Sequence, residues 1–168
     1  MRRTGVIVML GALLSMLGGA MTAAPALADT GTRQLHLAVT SLDFTSFTCL
    51  NDPCTLGEST AVANASSNLS TGTGSFQADL MLDFLGQPAF SGPCNIVDEH
   101  DVFTFANGTI LIHSHHEDCA LHGLRIDTTF EVTGGTGDFA GATGGGREFS
   151  AASNSPVSPV IFNGTIIF

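Results

Sequence analysis

Apolar and polar residues alternate with a period of two along much of this chain. In 76–84, Phe76, Ala78, Leu80, Leu82 and Phe84 share one face, while Gln77, Asp79 and Asp83 take the other. In 124–132, Leu124, Ile126, Thr128, Phe130 and Val132 alternate with Arg125, Asp127, Thr129 and Glu131. Successive side chains of an extended strand point to opposite faces, so each segment predicts a strand with one buried and one wet face. Residues 34–42 predict an early strand of the same kind. Residues 102–106 and 109–114 flank Asn107-Gly108, the dipeptide most favourable to a two-residue hairpin turn. Residues 160–168 predict the last strand, with Asn163-Gly164 read as a bulge within it or a turn between two short strands. Residues 51–75, rich in Ser, Thr, Asn and Gly, read as a long surface connection with at most a short strand. Residues 150–159 read as a second loop. No stretch carries a helical period. Roughly seven or eight strands with turns between them predict an all-β fold. An antiparallel barrel is expected, with a β-sandwich as the alternative. Its interior is expected to hold Phe76, Leu80, Leu82, Phe103, Phe105, Phe130 and Phe149.

Residues 134–146, GGTGDFAGATGGG, break the alternation. Gly135 to Ala140 fits G-x-G-x-x-A, but a dinucleotide site of that type needs a helix after the glycines. Gly141, Gly144, Gly145 and Gly146 exclude one. A solvated linker is a poor reading too, because Phe139 sits in the middle and an extended pattern resumes at Arg147. The segment therefore predicts a structured turn in which Gly134, Gly135, Gly137 and Gly141 give backbone freedom and Phe139 plugs a barrel end.

Residues 131–149 resemble the GGTG-x-F-x-G-A-x-G segment of the allene oxide cyclase-like barrels, of which the plant dirigent proteins carry a related version. The likeness is to bacterial secreted members. It implies an eight-stranded, calycin-like antiparallel barrel over 29–168, with this segment as a turn near the barrel mouth. It transfers no catalytic residue. The related barrels often associate, so the resemblance extends to an oligomer.

The start of the chain changes the compartment. Arg2 and Arg3, an apolar run from Val6 to Leu17, and Ala26-Leu27-Ala28 are the parts of a secretory signal peptide in their usual order. The run is short and glycine-broken against the ~20 residues of a membrane span. Residues 1–28 are expected to be a signal peptide and 29–168 one secreted, extracellular domain without membrane attachment. Four cysteines, an even number, then predict two disulfides. Three connectivities are open, and Cys49 with Cys54 and Cys94 with Cys119 is the preferred one. A zinc–cysteine site is the weaker reading, for want of a C-x-x-C pair. The chain has 5 basic and 15 acidic residues, a net charge of −10, which excludes nucleic acid as a natural partner.

Candidate chemistry is sparse. His113-Ser-His-His-Glu-Asp-Cys119 places His113 and His115 on one strand face, with His116 expected to begin a turn. Two same-face imidazoles suit Zn or Cu, with Glu117, Asp118 or His122 completing the shell. Asp101 is expected near His113 across the hairpin. No G-x-S-x-G elbow is present, and Asp79 and Asp83 fall on the wet face. No other cofactor is expected. The leading expectation is a secreted barrel that binds a small apolar molecule. Its alternatives are a cyclase, isomerase or dirigent-like stereo-directing activity, and an interaction protein with a filled barrel.

Overall fold

The computed structural model describes residues 31–119, 127–150 and 159–168. The expected signal peptide, His122, and most of the loop at 150–159 lie outside them. The alternating segments become eight strands: β1 (Thr32–Cys49), β2 (Leu56–Ser67), β3 (Thr73–Asp83), β4 (Cys94–Phe105), β5 (Gly108–Cys119), β6 (Asp127–Gly135), β7 (Thr143–Ser150) and β8 (Val160–Ile167). Each pairs antiparallel with the next, and β8 pairs with β1, so the sheet closes into an up-and-down barrel. Closure leaves no strand edge unpaired. The fold class is that of an all-β, eight-stranded antiparallel barrel, not a sandwich.

Strand direction gives the barrel two unlike ends. One end carries the turns 68–72 and 106–107, the β6–β7 connection, and the chain positions 31 and 168. There a short 3-10 turn, Gly137–Phe139, folds inward and Phe139 is 1% exposed. Gly137 lies directly on Gly108, so close that a Cβ on either would collide with the other's backbone neighbours. Residues 136–142 are thus a structured plug, while the expected turn glycines Gly134 and Gly135 end β6, paired with Leu111 and Ile110, and Gly144, Gly145 and Gly146 belong to β7. Next to it, rings of Phe76, Phe103, Phe130 and Phe162 meet edge-on or tilted at centroid distances of 5.0–5.5 Å, forming an aromatic floor. The other end, the far mouth, carries the connections after β1 and β3 and the last residues of β5 and β7, Cys119 and Ser150. It also carries both disulfides, Cys49–Cys54 and Cys94–Cys119. Two disulfides are consistent with an extracellular protein.

Four sequence expectations are corrected. Residues 51–75 are not mainly a connection: β2 fills 56–67, and its inward positions Gly57, Ser59, Ala61, Ala63 and Ala65 are too small to register as an apolar stripe. Asn163-Gly164 is neither bulge nor turn, since pairing runs unbroken through it to both neighbours. The β4–β5 turn is formed by Ala106 and Asn107, with Phe105 opposite Gly108, one residue before the expected Asn-Gly turn. Phe149 is 40% exposed and points outward. Inward positions of β7 are Glu148 and Ser150, so alternation on this strand runs opposite to its polarity.

Candidate functional site

Inside the barrel, on the far-mouth side of the aromatic floor, the lining turns acidic. Along β4 the inward positions are Val97, Glu99, Asp101, Phe103 and Phe105. Two carboxyls therefore enter the core because they share parity with three apolar residues. On β5, Ser114 stands opposite Glu99 and His116 opposite Val97, both inward. From β7 comes Glu148, 1% exposed, and Asp101 is equally buried. His116 is thus mid-strand and does not begin a turn.

The electrostatics follow from burial. Desolvation pushes the Glu148 carboxyl up to about 8, helped by the nearby charge of Glu99 and opposed by the Ser114 hydroxyl. Asp101 is raised well above the usual carboxylate range by burial, then by Glu99 and Glu148. Glu99 is raised by burial as well, while its contact with Asp101 works the other way. Among the described residues, the charges that raise Asp101 and Glu148 are those of other members of the trio. Arg147 instead pairs with Asp127 on the outer face, and Arg33 lies 5.6 Å from the centre of the Phe168 ring. Among the described residues, neither Asp101 oxygen meets a donor group, and Glu148 Oε2 and His116 Nδ1 also lack hydrogen-bond partners. A proton held between Glu99 and Asp101 satisfies both carboxyls, whereas two adjacent charges would not. Burial holds His116 below its ordinary range, against the pull of Asp118, so it is a neutral ring at pH 7. The arrangement can hold, donate and take back protons in a water-poor setting, and it offers unsatisfied polar groups to a guest.

The expected metal residues lie elsewhere, on the outer surface. His113 and His115 do share the outer face of β5. Their partners across β4 are His100 and Asp98, respectively, because the hairpin register pairs His100 with His113 and Asp98 with His115. Asp101 is not beside His113: it pairs with Ile112 and faces the interior. Of the expected additional ligands, Glu117 stands beside the Cys94–Cys119 disulfide, Asp118 pairs with Asn95, and His122 is outside the described residues. Asp79 and Asp83 are exposed.

No protein-family model matches the chain, and no curated protein matches it. Among solved structures, one described as pyocyanin demethylase is similar over 80% of this chain and 99% of its own, with 12% identity and a TM-score of 0.47. The resemblance carried by residues 131–149 therefore rests on the sequence alone.

Proposed function

We propose that the barrel takes a small, largely apolar molecule into its acidic half and moves a proton on it, an isomerase- or cyclase-type activity in a secreted protein. The observation that carries this reading is the trio Glu99, Asp101 and Glu148, buried together above a floor of phenylalanine rings. A filled structural barrel has no need of three buried carboxyls, since apolar residues of similar volume cost less to bury. A carboxyl titrating near 8 is a protonated acid at neutral pH with a conjugate base within reach, the condition for general acid–base work. In the simplest cycle, Glu148 gives its proton to one atom of the guest. The Glu148 carboxylate then removes a proton from a carbon two bonds away, and a double bond migrates between them. One proton leaves and one returns, so no co-reactant is needed. Ser114 and Asp101 would orient the polar end of the guest, and Phe103, Phe130 and Phe162 its apolar body. The resemblance to the allene oxide cyclase-like and dirigent barrels supports the same class, in which a shaped interior orders a reactive intermediate.

Binding without turnover is the second reading, favoured by the apolar floor. Two measurements separate them. A panel of β,γ-unsaturated and enolisable ketones, incubated with the protein in deuterated water, is followed by proton NMR. Isomerisation or carbon deuteration above buffer, reduced about 100-fold in Glu148→Gln, is expected. Turnover unaffected by that substitution sinks the catalytic reading. Binding of N-phenyl-1-naphthylamine, followed by its fluorescence, with no turnover of any ketone leaves the binding reading. Neither signal removes both.

A further inference from the structure

We propose that the outer face of the β4–β5 hairpin is a divalent metal site, formed by Asp98, His100 and His113 with His115 as the fourth side chain, and that it takes Zn²⁺. The register makes these four residues the corners of a square. His100 and Asp98 are two apart on β4, His113 and His115 two apart on β5, each directly opposite one of the other pair. All four point away from the barrel interior.

Their side chains already converge. His113 Nε2 lies 3.2 Å from Asp98 Oδ2, His115 Nδ1 3.3 Å from the same oxygen, and His100 Nε2 3.3 Å from Oδ1. Those separations are long for charge-assisted hydrogen bonds, which run to about 2.7–2.9 Å. They match the edge of a zinc tetrahedron: with bonds of about 2.0–2.1 Å, ligand atoms stand roughly 3.3 Å apart. Ligand atoms of Asp98, His100 and His113 all lie within 4.8 Å of one another, and the His100 and His113 rings stack at 4.7 Å. His100 and His115 are the more exposed imidazoles, 68% and 61%, so an ion reaches them directly from solvent. Imidazole nitrogen with one carboxylate is a donor set for Zn²⁺, with Cu²⁺ its natural competitor.

The surroundings favour a cation. Asp79 on β3 pairs with His100, and Glu131 on β6 pairs with His113, so a carboxylate-bearing residue flanks the imidazole row on each side. The Cys94–Cys119 disulfide joins the same two strands four residues along, which fixes the register that brings the ligands together.

The test is calorimetric titration of the purified, metal-stripped protein with Zn²⁺, alongside His113→Ala, Asp98→Asn and His36→Ala. One ion per chain with a dissociation constant of about 1 μM or tighter is expected. Each of the first two substitutions should weaken it about 100-fold, because removing a direct ligand costs more than removing an outer partner. His36, on β1 and outside the square, serves as the control and should leave binding unchanged. Cobalt substitution should give visible absorption bands of low-symmetry four-coordination, lost in His113→Ala. Absence of binding at 100 μM, or equal affinity in the wild type and His113→Ala, overturns the proposal. Circular dichroism of each variant separates a lost site from a lost fold.

Discussion

A buried carboxyl keeps its proton as long as holding it costs less than desolvating the charge. Glu148 is in that position, and its raised pKa has a stability consequence with a definite sign. In the unfolded chain it ionises near 4.3. Between there and about 8 the folded state holds a proton that the unfolded state has released, so stability falls as pH rises through this window and the full penalty is present above it. Glutamine has the same shape and no charge to desolvate. Glu148→Gln should therefore unfold at higher denaturant concentration than the wild type at pH 8.5, by a few kcal/mol, with the gap closing towards pH 5. Equal differences at both pH values would show that Glu148 is ionised in the folded protein. His116 contributes the opposite slope below its ordinary pKa, so the comparison is between variant and wild type at each pH. The three carboxyls differ in how far the sequence reveals them. Glu99 and Asp101 share parity with Val97, Phe103 and Phe105, and extending the predicted strand at 102–106 back by eight residues would have turned them inward. Glu148 has no such marker: its same-face neighbours are Gly146 and Ser150, and the apolar residue beside it, Phe149, faces solvent.

At the scale of elements, strands that bury large side chains announce themselves and strands that bury small ones do not. β3 and β6 were legible from the alternation of Phe, Leu, Ile and Val with charged residues. β2 was not, because its inward positions are Gly57, Ser59, Ala61, Ala63 and Ala65, side chains too small to stand out against the polar residues between them. The same economy operates between β7 and β8. Gly146 faces Gly164 in register, and a Cβ on Gly146 would strike the Asn163 carbonyl oxygen, a backbone atom that has nowhere to go without breaking the ladder. Gly141 differs in kind: its φ of +74° disfavours a side chain, but nothing stands within 4 Å of where one would be. Gly141→Ala should cost about 1–2 kcal/mol, the ordinary penalty of a left-handed residue. Gly146→Ala should cost more, about 3 kcal/mol or above, with loss of amide-exchange protection in β7 and β8. Urea unfolding of the two variants decides it, and similar costs would mean that the strands separate easily at this point.

For the whole molecule, the two ends divide the work. One is sealed by Phe139 and the aromatic floor, while the acidic half and both disulfides lie towards the other. The large core cluster stabilises the sealed end. At the far mouth the buried carboxyls oppose folding, and a smaller apolar cluster of Leu82, Phe84 and Val97 offsets them together with the covalent links. The two links are unequal. Cys94 and Cys119 are 25 residues apart and Cys49 and Cys54 are 5, so loop-closure entropy assigns about 3 kcal/mol to the first and about 2 kcal/mol to the second. The longer link also holds the strand pair that carries Asp98, His100, His113 and His115. Replacing Cys94 and Cys119 together by serine should lower stability by about 3 kcal/mol and weaken Zn²⁺ binding as well, since the ligands then depend on strand pairing alone for their register. The same change at Cys49 and Cys54 should lower stability less and leave the metal affinity where it was, because β1 and β2 carry none of the four ligands. Denaturant unfolding and zinc titration of the two double variants test both halves of this argument. Equal loss of metal affinity in both would place the effect in general loosening of the barrel rather than in the β4–β5 register.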